Sequence, residues 1–125
     1  MKEVINTSKA PQAIGPYSQA IKVNGFLFVS GQIGINPQTG ELVPGGVEAQ
    51  IKQAMENIRQ ILSAAGMEFS HVVKTTIFIT NMDDFTTVNK IYSEYFGEVF
   101  PARSCIAVAS LPKGALVEVE VVACK

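Results

Sequence analysis

The sequence has no tryptophan, a single histidine and only two cysteines among 125 residues. Each scarcity removes a class of chemistry. His71 has no second histidine or acid at ligand spacing, so a metal centre lacks its partners and none is expected. Cys105 as a nucleophile would need a basic neighbour, and the one histidine lies far away in sequence. Cys105 and Cys124 have no CxxC spacing, which argues against zinc and thioredoxin-like redox sites. Two cysteines are also fewer than a small secreted domain usually carries, so a reducing cytoplasm is the expected setting. Lys and Arg total 10 against 11 Asp and Glu, for a net charge of −1. No basic field exists to gather phosphates, so nucleic acid is not an expected partner. No apolar run reaches the length of a membrane span, and Met1 to Asn6 do not resemble a signal peptide. Gly31-Gln32-Ile33-Gly34 does not open a helix with a lysine behind it, so no phosphate loop is expected, and no cofactor with it.

What the chain does have is core. Hydrophobic residues make up 47% and charged residues 17%, which specifies a globular chain and one domain over residues 1–125. Lys2 to Asn6 reads as a short edge strand. Asn24-Gly25 between Tyr17–Val23 and Phe26–Ser30 is a strong hairpin signal. Val47, Ile51, Ala54, Ile58, Ile61, Leu62 and Ala65 recur at helical spacing, with Gly66 placed to stop the helix. Val72 to Thr80 is β-rich. Asn81 with Asp83 and Asp84 opens a second helix whose stripe is Phe85, Val88, Tyr92, Tyr95 and Phe96, in a helical segment expected to reach Phe100. Arg103–Ser110 and Leu116–Ala123 read as a final hairpin.

The order β, ββ, α, β, α, ββ predicts an α+β domain: a mixed six-stranded sheet with two helices on one face. No third helix covers the other face, and the charged fraction is low. Self-association through that face is therefore expected.

The chemistry is expected around Pro101-Ala102-Arg103-Ser104-Cys105. Pro101 ends a helix and opens a strand, and a guanidinium early in an apolar strand demands an anionic partner. The following strand alternates Val with Glu118 and Glu120, which the hairpin reading places beside Arg103. A cross-strand ion pair is the plain alternative. Ser30-Gly31 ends a strand with a hydroxyl beside a backbone that a ligand can approach closely.

Several blocks together resemble the RidA (YjgF) family. They are Ala13-Ile14-Gly15-Pro16-Tyr17-Ser18-Gln19, Ser30-Gly31-Gln32-Ile33, Val73-Lys74-Thr75-Thr76-Ile77-Phe78, Val88-Asn89 with Tyr92, and Pro101-Ala102-Arg103-Ser104-Cys105 followed by Val117-Glu118-Val119-Glu120. The resemblance implies a chorismate-mutase-like fold, a homotrimer with clefts between subunits, and hydrolysis of enamine and imine acids, 2-iminobutanoate and 2-iminopropanoate, to 2-oxo acids and ammonia. The imines are those that pyridoxal-phosphate dehydratases release. By the same resemblance Arg103 clamps the substrate carboxylate and Glu118 handles the attacking water. Tyr17, Ser30, Gly31, Asn89 and Cys105 line the pocket, Gly31 and Cys105 through their backbones. The alternatives are a metabolite-binding regulator without turnover and, ranked last, an endoribonuclease.

Overall fold

Val117, Val119, Val121 and Ala123 alternate with Glu118, Glu120, Val122 and Cys124, and the first set is almost wholly buried. A strand with one dry face and partners on both sides belongs in the middle of a sheet. β6 (Val117–Cys124) holds that place in the computed structural model, which describes residues 1–125. The sheet has six strands in the order β1-β2-β3-β6-β4-β5. The others are β1 (Glu3–Ile5), β2 (Ala20–Val23), β3 (Phe26–Ile33), β4 (Val72–Ile79) and β5 (Ala102–Ala107). β6 runs antiparallel to both β3 and β4, while β4 and β5 are parallel, so the sheet is mixed. Helices α1 (Gly46–Ala64) and α2 (Phe85–Ser93) pack on one face. The α+β class, the strand count and the two-helix layer are as the sequence predicts.

Local chemistry explains the elements. Asn24 and Gly25 both adopt positive φ, at 50° and 83°, as a two-residue hairpin of primed type requires. In α1 the residues Ile51, Ala54, Met55, Ile58, Ile61 and Leu62 form one apolar stripe with no exposed surface. Gly66, at φ 73°, closes the helix: its N–H donates to Ser63 O and that of Met67 to Leu62 O, a Schellman arrangement. Two buried amides tie α1 to the strands that matter later. Asn57 Nδ2 donates to Ile33 O at 3.2 Å and Ile35 O at 2.9 Å, and Gln50 Oε1 accepts from Leu116 N at 2.8 Å. The end of β3 and the start of β6 are thus fixed against the same helix.

Three expectations are corrected. β5 and β6 do not form a hairpin: β6 inserts between β3 and β4, and β5 pairs with β4 through the β4–α2–β5 crossover. A parallel pair needs such a crossover, and α2 supplies it. Second, β5 is an exposed edge strand in the chain and not a buried one. Third, α2 ends at Ser93, well before Phe100. Tyr95 and Phe96 continue only as three-residue turns, donating to Tyr92 O and Ser93 O ahead of Gly97.

The face away from the helices carries Phe26 and Phe28 of β3, about 42% and 49% exposed, with Ile106 of β5 at 46%. That face is uncovered on the chain, and these apolar residues share it with Lys74, Thr76, Glu118 and Glu120.

Candidate functional site

The site residues fall into two groups, and the strand pleat decides which belongs where. Along β6, Glu118 and Glu120 point to the open face, because Val117, Val119 and Val121 point to the helices. β3 approaches Glu118 through a bulge. Val29 pairs with Val121 and Gln32 with Val119, so Ser30 and Gly31 together stand opposite Glu120. Ser30-Gly31 is thus a mid-strand bulge and not the strand terminus that the sequence suggested. The bulge brings backbone against carboxylate: a Cβ on Gly31 would lie 2.7 Å from Glu118 Oε2 and 2.8 Å from its carboxyl carbon. Any larger residue there would have to push the Glu118 carboxylate aside.

Ser30 holds the next piece of this group. Its Oγ donates to Ser18 O at 2.6 Å and its N–H to Gln19 O at 2.9 Å, tying the loop before β2 to the bulge. Gln19, itself buried, accepts from Thr7 N and donates to Thr7 O and Pro11 O, so the loop carrying Tyr17 is pinned from beneath. The result is a cleft of about 960 Å³ whose walls include Tyr17, Ser30, Gly31, Ile33, Lys113 and Glu118.

Arg103 belongs to the second group. In the β4–β5 register Thr75 faces Arg103 and Ile77 faces Cys105, and both β4 residues are buried toward the helices. Arg103 and Cys105 therefore share the helix side of the sheet. Arg103 Nη1 donates to Asn89 Oδ1 of α2 at 2.6 Å. Asn89, Arg103 and Cys105 are brought together as the sequence predicts, but away from Glu118. Arg103 and Glu118 sit on opposite faces with β4 between their strands, so the ion pair that the hairpin implied is not formed. None of the second group lines the cleft of the first.

The electrostatics match this division. Burial, and after it the Glu120 carboxylate on the same face, push the Glu118 carboxyl above its ordinary value. Burial also raises the Cys105 thiol, with Arg103 only partly opposing it. A raised thiol holds little thiolate at neutral pH, so Cys105 is a poor nucleophile.

Residues 7–125 match the profile of the family described as Endoribonuclease L-PSP. The chain belongs to that family. Mouse and human proteins named 2-iminobutanoate/2-iminopropanoate deaminase are 52% and 53% identical to it over 123 residues, 98% of this chain and 91% and 90% of theirs. A crystal structure of a Rid-family protein from Yersinia pestis superposes with a TM-score of 0.97 at 56% identity over the full length of both chains. The RidA resemblance drawn from short motifs thus holds along nearly the whole of this L-PSP family member.

Sequence reasoning missed some of the surroundings. Lys113 lines the Glu118 cleft from the turn before β6, with φ 57° and its Nζ on Gly40 O. Phe85 and Tyr92 read as core stripe, yet both rings also face Arg103. The signal was available in their spacing with Asn89, at i, i+4 and i+7 on one helix face.

One consequence concerns Gly31. Gly31→Ala forces the Glu118 carboxylate aside, and on the proposal that Glu118 handles the attacking water, a displacement near 1 Å costs about 10²-fold in turnover. Steady-state kinetics should show this loss with the melting temperature little changed. Unaltered turnover would mean that Glu118 acts from another position.

Proposed function

We propose that this protein is a 2-iminobutanoate/2-iminopropanoate deaminase, acting as a homotrimer whose sites lie between subunits. The observation that carries the reading is the full-length likeness, at 52% and 53% identity, to two proteins of that name. The chemistry of the two groups agrees with it. A 2-imino acid presents a planar carboxylate next to an electrophilic C=N carbon. Arg103 offers a planar two-pronged donor for the first, and Glu118 a carboxylate to receive a proton from water attacking the second. Water adds to the iminium carbon as Glu118 takes its proton, giving a carbinolamine. Glu118 then returns that proton to the nitrogen and accepts the carbinol hydroxyl proton as the C–N bond breaks, so a 2-oxo acid and ammonia leave, the ammonia taking up the second proton as ammonium. Tyr17, Ser30 and the Gly31 backbone surround the acid–base group, while Asn89 and the Cys105 backbone surround the clamp.

The placement of the two groups on opposite faces supports assembly, because one chain cannot close both around a small molecule. A second copy laid on the open face supplies the missing half and buries Phe26 and Phe28. No helix is long and apolar enough to cross a membrane, and the free thiols of Cys105 and Cys124 fit a cytoplasmic location.

The test is a dehydratase-coupled assay: added protein should accelerate ammonia release above the unaided hydrolysis of the imine. Binding of 2-oxobutanoate without acceleration would favour the metabolite-binding regulator instead. Ribonuclease action ranks last, because a net charge of −1 offers nothing to a polyanion.

The raised Glu118 carboxyl gives a pH dependence with a definite sign. The base works only when deprotonated, so activity is lost as pH falls through its raised value. Glu120→Gln removes one of the two causes of that rise and should move the acid limb of kcat to lower pH, with the plateau retained. A limb that stays in place, or a plateau abolished by Glu120→Gln, would assign the base elsewhere.

A further inference from the structure

Two arginines in this chain lie over aromatic pairs, and the difference between them is informative. Arg59 sits 5.3 Å from the Phe69 ring centre and 5.5 Å from that of Tyr95, and its Nε bonds Glu56 Oε2 at 3.0 Å. Its charge is matched, and its role is structural. Arg103 sits 5.6 Å from the Phe85 ring centre and 5.2 Å from that of Tyr92, but it takes part in no ion pair. Its one side-chain partner is the neutral amide oxygen of Asn89.

Phe85, Asn89 and Tyr92 form a single stripe on α2, so ring, amide and ring face the guanidinium together. The Tyr92 hydroxyl is already engaged with Thr75 Oγ1 at 2.7 Å, both residues being buried, which leaves its ring for the cation. Thr75 is also the β4 residue in register with Arg103, so one buried contact fixes the ring relative to the strand that carries the guanidinium.

We infer that Phe85 and Tyr92 are positioning residues: a neutral aromatic platform that sets the plane of the Arg103 guanidinium while leaving its charge unneutralised for an incoming carboxylate. An acid in the same place would orient the guanidinium equally well, but the substrate carboxylate would then have to displace it or share the cation. Ring quadrupoles attract the cation over their faces without occupying its N–H edge. Of five guanidinium N–H donors one goes to Asn89, and the others remain for the ligand. The inference deepens the deaminase reading and rests on Arg103 as the carboxylate clamp.

Phe85 is the residue to test, since it is only partly buried, whereas Tyr92 belongs to the core. Phe85→Leu and Phe85→Met keep an apolar, helix-compatible side chain and remove the ring. Phe85→Tyr keeps it. Coupled ammonia release and calorimetric titration with 2-oxobutanoate are run on all three beside Arg103→Ala. Both ring-less variants should raise KM for the imine and Kd for 2-oxobutanoate by about 3- to 30-fold, the span of a cation–π contact. Their kcat/KM should fall less than that of Arg103→Ala, because the guanidinium itself remains, and Phe85→Tyr should recover most of the affinity. Unchanged KM and Kd in both ring-less variants, a loss confined to kcat, or failure of Phe85→Tyr to recover affinity would each overturn the platform. Wild-type affinity in Arg103→Ala would overturn the clamp itself, and that result is read independently of Phe85.

Discussion

Arg103→Ala, and Arg103→Lys with it, should lower kcat/KM for imine hydrolysis by about 10²- to 10³-fold, the range expected when one member of a desolvated charge pair is lost. The lysine variant is the sharper of the two. It keeps the positive charge but replaces a planar fork with a single point donor, so the carboxylate is attracted without being oriented. Water then meets the C=N carbon in many geometries, and the positioning advantage disappears. Folding should be spared. Arg103 lies on an exposed edge strand, and its side chain holds only the Asn89 bond and its two ring contacts. Ammonia release and calorimetry with 2-oxobutanoate measure both effects. Wild-type activity in a folded Arg103→Ala would show that the carboxylate is held elsewhere and that the reaction assigned to this site is wrong.

The fold was legible where sequence signals are local. The Asn24-Gly25 turn, the α1 stripe, the Gly66 stop and the alternation of β6 each follow from the residues within one element. The strand order was not, because it depends on what lies between elements. Two β-type runs separated by Leu111-Pro112-Lys113-Gly114 resemble a hairpin, and nothing in that turn says that β6 is taken up by β3 and β4. The strand–helix–strand series β4–α2–β5 was the better guide, since it carries the signature of a parallel crossover. The buried alternation of Val117, Val119, Val121 and Ala123 likewise marks a central strand, which one hairpin partner cannot explain.

The same error moved Arg103 to the wrong side of the sheet. Placing it beside Glu118 made one compact site out of residues that the pleat points in opposite directions. The site membership taken from the family resemblance did not depend on that geometry. Tyr17, Ser30, Gly31 and Glu118 gather in one place and Asn89, Arg103 and Cys105 in another. The uncovered sheet face was legible from element counting, since two helices cannot cover both faces of a six-stranded sheet. What no count supplies is the proposal that a second copy, laid on that face, also completes the chemistry.

That last point yields the most discriminating result expected of this protein. Glu118→Gln should be as inactive as Arg103→Ala, because the acid–base group and the clamp are both required. Co-expression of the two variants at equal levels should nevertheless restore activity. In a homotrimer with sites between copies, each site takes its Glu118 group from one chain and its Arg103 group from the next. Either group is intact in half of the chains, so random mixing leaves about one site in four with both. Mixed oligomers should then show about a quarter of the wild-type rate, while each variant alone stays near the unaided rate. The readout separates geometry from stability, since neither mutation repairs the other within one chain. If mixing restores nothing, although mass spectrometry shows the two chains in one assembly, both groups must act from a single copy. The chain would then have to bring β5 and the open face of β6 around the same substrate, which the intervening β4 forbids in the fold as it stands.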